Sequence, residues 1–359
     1  RSSSTTGARP DAQTAWAALP LEDRLDVLQR FGRLVARDLP AWASLLSSEN
    51  GKPETEALSC ELVPVIDSLS FICREARRLF RPRHVFLGKW AFWGRTSWLV
   101  HQPLGTVLVI SPWNYPLAIP LWQVAAALAL GNAVLFKPAS LTPLIAKKIE
   151  TTFAEAGLPA GLLSTVIGPG SLAERTMTLG VDKVLFTGSV EVGRRVMANA
   201  AKTLTPVVLE LRGKDPMIVC HDADLDVASS GAVWGAFMNC GQTCASVERL
   251  YVDVRVAEAF LAKVVEKTKA LRLGPGTGTV EVGPMTSPEQ MDVVARQVEE
   301  ARSRGARILC GGRARPDLGP HFYEPTVLSG VDHTFSVMKD ETFGPVLPIM
   351  TCDSADEAI

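Results

Sequence analysis

Apolar residues recur at helical spacing near the start of the chain. Leu21, Leu25, Leu28, Phe31, Leu34 and Val35 share one face of a helix predicted over Leu21–Arg37. The helical pattern runs through Ala12–Ser48, and a second helical stretch covers Glu56–Leu79. Phe92–Val100 reads as one strand of an irregular hairpin near 85–105. From Thr106 the pattern alternates. Strands are predicted at Thr106–Ile110, Ala133–Lys137, Leu163–Ile167, Lys183–Thr187 and Pro206–Glu210. Helices are predicted between them, at Leu121–Leu130, 143–156, 171–179 and 190–201. Strands and helices in alternation, joined by short connections, predict a doubly wound parallel sheet. A second cycle opens at Pro216–Val219. It continues with helix 225–239, strand Arg249–Val254, helices 256–270 and 288–303, and strand Arg307–Cys310. The expectation is an α/β chain of two domains, 1–212 and 213–359, without a low-complexity linker between them.

Gln102–Phe136 carries no charged residue and needs separate weighing as a membrane span. Pro112, Pro116, Pro120, Asn114 and Asn132 interrupt it, so the reading is strand, loop, helix and strand of a soluble domain. The 37 basic and 38 acidic residues nearly cancel, and no basic field is present to hold nucleic acid or an anionic membrane. Seven thinly spread cysteines do not make a disulfide framework, and a reducing cytoplasmic setting is expected. The chain opens at Arg1 without Met and stops within an acidic, helix-forming run at Asp353–Ile359. A fragment of a longer protein is the expectation.

Three places carry candidate chemistry. Gly188-Ser189-Val190-Glu191-Val192-Gly193 lies at a strand-to-helix turn, where backbone N–H groups can approach a phosphate. Its spacing is neither the Gly-x-Gly-x-x-Gly fingerprint nor a P-loop, and a tight turn that only starts a buried helix explains it as well. Cys240 and Cys244 are four residues apart, but no Cys/His cluster completes a metal site. On spacing alone, Cys244 is a small buried apolar residue as readily as a nucleophile. Glu210 ends a predicted strand, where open α/β sheets bind ligands, and a solvated strand-end carboxylate is the alternative.

Taken in order along the chain, the motifs resemble the aldehyde dehydrogenase superfamily. They are Ser111-Pro112-Trp113-Asn114-Tyr115-Pro116, Lys137-Pro138-Ala139-Ser140, Phe186-Thr187-Gly188-Ser189, Leu209-Glu210-Leu211-Arg212-Gly213-Lys214, Gly241-Gln242-Thr243-Cys244 and Glu341-Thr342-Phe343-Gly344-Pro345. The resemblance implies a dinucleotide-binding first domain and a catalytic second domain, with NAD or NADP as cofactor and a small aldehyde as substrate. It also implies a homo-oligomer when the protein is full length. Cys244 is then the nucleophile that forms a thiohemiacetal and a thioester. Asn114 and the Cys244 backbone N–H are the oxyanion donors, and Glu210 is the base that activates the hydrolytic water. Ser111, Pro112, Trp113, Lys137, Ser140, Gly188, Ser189, Val192, Leu211, Glu341 and Phe343 are the implied cofactor-binding residues. No metal is implied.

Two residues depart from the family pattern. Ser140 stands where NAD-preferring relatives often carry Glu, so NADP is expected to serve as well as NAD within about tenfold. Arg212 stands for the first Gly of Glu-Leu-Gly-Gly-Lys. A guanidinium there is expected to fill the nicotinamide pocket or pair with Glu210, or else to turn outward and strain only the loop. The implied tunnel residues Tyr115, Ile119, Trp122, Met238, Thr243 and Ala245 are mostly apolar, which suits a medium aliphatic or aromatic aldehyde. A non-catalytic descendant of the fold and a cofactor-independent thiol esterase remain open on the residues alone.

Overall fold

Residues 10–88 and 90–359 are described in a computed structural model. They form two units. One holds the chain up to Trp42 together with Ser59–Glu210, and the other holds Ala43–Leu58 and Leu211–Ile359.

The long helical pattern at the start is three helices, Pro10–Ala18, Leu21–Arg37 and Leu39–Asn50, the last of which passes from the first unit into the second after Trp42. Pro20 breaks the first junction, since its ring removes an N–H and fixes φ. The second helical stretch is also not uniform. A π-type turn at Ala57–Leu62 precedes the regular helix Val63–Leu79. The hairpin pairs strand β1 (Arg83–Val85) with strand β2 (Ser97–Leu99) in antiparallel register. Trp90–Phe92 is a 3-10 turn between them, so the strand expected over Phe92–Val100 is confined to its last part.

The first unit's main sheet has the order β5-β4-β3-β6-β7. Its strands are β3 (Thr106–Ile110), β4 (Ala133–Lys137), β5 (Leu163–Thr165), β6 (Lys183–Gly188) and β7 (Val207–Leu211). β4 is buried at every position, as a central parallel strand covered on both faces must be. β3 pairs in parallel with β4 on one side and β6 on the other. The chain therefore winds outward from β3 to β5, then crosses to β6 and winds the other way. That reversal makes a topological switch point beside β3, where open α/β sheets receive ligands at their carboxyl ends. Helix Ala118–Ala129 follows β3, starting three residues earlier than the pattern predicts. Its first amides are capped from outside, because Leu117 N and Ala118 N both donate to buried Glu61 Oε2, at 2.8 and 3.0 Å.

The second unit carries the sheet β10-β11-β12-β9-β8. These strands are β8 (Pro216–Val219), β9 (Arg249–Asp253), β10 (Arg307–Cys310), β11 (Thr326–Ser329) and β12 (Val346–Cys352). Only β10–β11 is antiparallel; β8–β9, β9–β12 and β11–β12 are parallel. β11 and β12 escape the sequence pattern as short, fully or mostly buried runs without alternation. The core packs Leu250, Val252, Leu347 and Ile349 against Phe237, Phe260, Val264 and Val294. Ala43–Leu58 docks here through Glu54 N, which donates to Gly276 O at 3.0 Å, and Thr286 Oγ1, which donates to Asn50 O at 2.8 Å. Among the described residues no helix is long and apolar enough to cross a membrane, and no cluster of His, Cys, Asp or Glu could hold a metal ion.

Candidate functional site

The carboxyl edge of the first sheet gathers Ser111, Lys137 and Gly188. The register sets Ile110 opposite both Lys137 and Phe186, so β3 and β4 end level while β6 runs two residues further to Gly188. Ser111 N donates to Lys137 O at 3.1 Å, which carries the edge one residue beyond β3. Three features of this edge suit a polar ligand. Ser111 Oγ is buried without a hydrogen-bond partner. The buried Lys137 ammonium donates to Pro138 O at 2.6 Å, and burial lowers its pKa. Helix Val190–Ala201 opens at Gly188-Ser189, and Ser189 Oγ accepts from Val192 N at 3.3 Å. A Cβ on Gly188 would stand 2.8 Å from the Phe186 ring, so the turn needs glycine for space. Phosphate-bearing dinucleotides fit such an edge, with a helix start and polar side chains on neighbouring strand ends. Val192 packs partly buried against the sheet. Ser140 is exposed, and its hydroxyl donates to Gly168 O at 3.0 Å. Pro112 and Trp113 follow Ser111, and Asn114 is buried in the same loop.

In the second unit the helix expected over 225–239 stops at Phe237. Asn239, Cys240 and Gly241 then take positive φ of 52, 56 and 70°. Consecutive left-handed residues are costly unless their surroundings hold them. A Cβ on Gly241 would stand 2.1 Å from Gly344 O, so only glycine fits there. Asn239 Nδ2 donates to Gln242 O at 3.1 Å, and Gln242 Nε2 returns a bond to Asn239 O at 3.0 Å. Gln242 Oε1 accepts from Thr286 N at 2.9 Å, and Glu56 Oε1 accepts from Asn239 N at 2.9 Å. The turn buries Cys240 and leaves Cys244 exposed. Burial pushes the Cys240 thiol far above its ordinary range. Desolvation also raises Cys244, helped by the Asp215 and Glu341 carboxylates, while the backbone N–H groups of Cys244 and Ala245 pull the other way.

The Glu341-Thr342-Phe343 segment is fixed by a buried ion pair. Lys214 Nζ and Glu248 Oε2 are 2.7 Å apart, with side chains 9% and 3% exposed. Glu248 accepts from the backbone N–H groups of Thr342 and Phe343, both at 2.8 Å. Thr342 Oγ1 donates to Gln297 Oε1 at 2.8 Å, and Gln290 Nε2 donates to Thr342 O at 2.7 Å. This network holds Phe343 at a φ of 49°. Arg212 neither pairs with Glu210 nor turns outward. Its Nη1 lies 3.1 Å from Glu341 Oε2, and its guanidinium lies 4.0 Å from the centre of the Phe343 ring. Burial pushes the Glu341 carboxyl up to about 7, against the pull of Arg212.

Each unit thus collects its own group. Ser111, Lys137 and the Gly188-Ser189 turn share one sheet edge, with Asn114 in the loop leaving it. Cys244 and Glu341 both belong to the second unit, with Phe343 two residues beyond Glu341. Glu210 is exposed near the end of β7, and Leu211 ends that strand. Sequence reasoning missed Glu56, Glu61, Glu248 and Gln297. Glu61 and Glu248 are carboxylates that the fold buries against backbone amides, and no local spacing announces them.

The aldehyde dehydrogenase family description matches residues 4–359. A Mycolicibacterium smegmatis protein named "putative succinate-semialdehyde dehydrogenase", NADP(+)-linked, is 39% identical over 97% of this chain, which spans 67% of that protein. A betaine aldehyde dehydrogenase of Cereibacter sphaeroides is 38% identical over 99% of the chain and 72% of its own length. The crystal structure of succinate-semialdehyde dehydrogenase from Burkholderia pseudomallei matches with a TM-score of 0.93 at 34% identity, covering 97% of this chain and 72% of that one. On these matches the chain belongs to the aldehyde dehydrogenase family.

Proposed function

We propose that the chain is the NAD(P)-dependent oxidoreductase that converts an aldehyde to its carboxylic acid through a covalent intermediate on Cys244. The observation that carries this reading is the left-handed turn at 239–241, which buries one cysteine and presents the other. Cys244, its proton lost to water, attacks the aldehyde carbon as the thiolate; the C–S bond forms, the C=O π bond breaks, and a thiohemiacetal oxyanion results. The Asn114 amide and the Cys244 backbone N–H donate to that oxygen. NAD(P), when bound, supplies the acceptor for the hydride that leaves the thiohemiacetal carbon. A thioester then remains on Cys244. Glu210 takes a proton from water, the water oxygen bonds to the acyl carbon, and the C–S bond breaks to release acid and thiolate. Ser111, Lys137, Gly188 and Ser189 bind the adenosine and pyrophosphate portions, with Val192 against the adenine. Glu341 holds the nicotinamide ribose, with Phe343 beside it. Free acid is the product, because a water-activating carboxylate is present.

Glu210→Gln tests the division of labour. Rapid mixing with hexanal and NAD(P) should give a burst of NAD(P)H near one per site, followed by turnover slowed about 10²-fold or more. A first turnover as slow as the later ones would remove Glu210 from deacylation. Absence of NAD(P)H from the unaltered protein with hexanal, succinate semialdehyde and betaine aldehyde would remove the reading itself.

A further inference from the structure

Arg212 makes two contacts at once. Its guanidinium bonds Glu341 at 3.1 Å and covers the Phe343 ring at 4.0 Å. Both side chains of the Arg212–Glu341 pair are about one-fifth exposed, so water screens this pair less than a surface one. Phe343 is almost wholly buried, and its backbone is fixed by Glu248, so the ring cannot turn away from the guanidinium at low cost. Glu341 therefore offers a carboxylate with one oxygen already engaged, beside a ring face already occupied. A glycine at 212 removes both of these contacts.

We infer that Arg212 is a lock on the nicotinamide-ribose end of the cofactor site. Its side chain holds the carboxylate and the ring face that this end of the dinucleotide needs, so that half binds only when Arg212 moves off. The adenosine and pyrophosphate end, read by the first sheet's edge, is not affected. The inference rests on the cofactor roles proposed for Glu341 and Phe343. It identifies Arg212 as a residue that sets cofactor affinity and gives the enzyme a closed resting state. No bond is made or broken, and only hydrogen bonds and stacking are exchanged.

The two halves of the ligand can be weighed separately at equilibrium, without turnover. ADP carries no second ribose, whereas ADP-ribose carries the hydroxyls that Glu341 would accept. Calorimetric titration of the whole protein should show ADP binding alike to wild type, R212G and R212M. ADP-ribose should bind at least about fivefold tighter to both variants than to wild type. R212M keeps an unbranched chain over Phe343 but no charge, so it separates the ion pair from bulk. In an E341Q background the gain from R212M should disappear. Equal ADP-ribose affinity in all three proteins would overturn the lock. A gain in R212G alone would overturn it too, leaving only steric filling. Failure of ADP to bind any of them would instead sink the cofactor reading on which the lock stands.

Discussion

The sheet edge of the first unit and the thiol platform of the second both serve one proposed reaction, yet they are built in opposite ways. The edge is made by backbone. Parallel strands, a helix start and a glycine turn define it, and its polar side chains are sparsely committed. Ser111 Oγ has no partner, and Lys137 is bonded to a neighbouring carbonyl. The platform is made by side chains. Glu248, Lys214, Gln297, Gln290 and Gln242 are spent on fixing backbone in left-handed conformations. The difference follows from the task. A cofactor edge needs unspent donors that a ligand can satisfy. A nucleophile needs a fixed position, since a misplacement of about 1 Å can cost about 10²-fold in rate.

The largest test of this contrast is at the cysteines. Cys244→Ser is expected to lower aldehyde oxidation by at least about 10³-fold, because no other group on the platform can carry the acyl chain. Cys240→Ser should keep most of the activity, since that thiol is buried and used only for packing. Steady-state rates with hexanal decide. Survival of the 244 variant with loss of the 240 variant would reverse the assignment.

Next in size is the buried pair that supports the platform. Glu248→Gln leaves the Lys214 ammonium without its counter-ion in a site 9% exposed. Removing one partner of a buried pair costs about 3–5 kcal/mol. Urea denaturation should show a loss of that order. Glu248→Gln with Lys214→Met should recover most of it, because the unpaired charge is gone. If the double variant is as unstable as the single one, the bonds from Glu248 to the Thr342 and Phe343 amides, and not the charge pair, hold the platform.

The edge gives a smaller, ligand-specific effect. Ser140→Glu places a carboxylate where the 2′-phosphate of NADP is expected. Two like charges about 4 Å apart repel by about 4 kcal/mol at an effective dielectric of about 20. Exposure of this position reduces that figure, so a loss of about 10–10² in kcat/KM for NADP is expected, with NAD little changed. Wild type should use the two cofactors within about tenfold of one another. Strict NAD dependence of the wild type would place Ser140 away from the ribose.

What could be read from the chain follows the same division. The edge was legible because β3, β4 and β6 have apolar runs punctuated by Gly and Pro. Cys244 stood out only through its motif, since spacing alone made it a small apolar residue. The platform was much less legible. The turn at 239–241 follows directly on helix Leu225–Phe237, and its conformation is imposed by neighbouring Gln242 and by Glu56 and Thr286 from distant segments. The partner of Arg212 also depended on tertiary placement. The residue was flagged from the pattern, but Glu341 lies 129 positions away in sequence. The docking of Ala43–Leu58 on the second unit has no local mark either, because it rests on backbone bonds to Gly276 and on Asn50 with Thr286.

A pH-dependent effect at Glu56 sharpens the account of how the turn is held. Burial pushes the Glu56 carboxyl up to about 7, while its Oε1 still accepts from Asn239 N. The folded state therefore binds this proton more tightly than the unfolded chain, where the group has its ordinary pKa. Stability from this group is full below the ordinary carboxylate range and falls as pH rises towards about 7. Glu56→Gln removes the titration and keeps an oxygen acceptor for Asn239 N. Each pKa unit is worth about 1.4 kcal/mol, so the variant should gain on the order of 1–3 kcal/mol relative to wild type between pH 5 and pH 8. Glu341 carries a similar upward shift, so its variant should flatten the same window independently. Urea midpoints across that range measure both. Glu56→Ala should instead lose stability at every pH, since the bond from Asn239 N to Glu56 is removed from a strained turn. A Glu56→Gln protein that follows the wild-type pH curve would show that the carboxyl stays ionised when folded, and that the turn is held by a charged acceptor and not by a neutral acid.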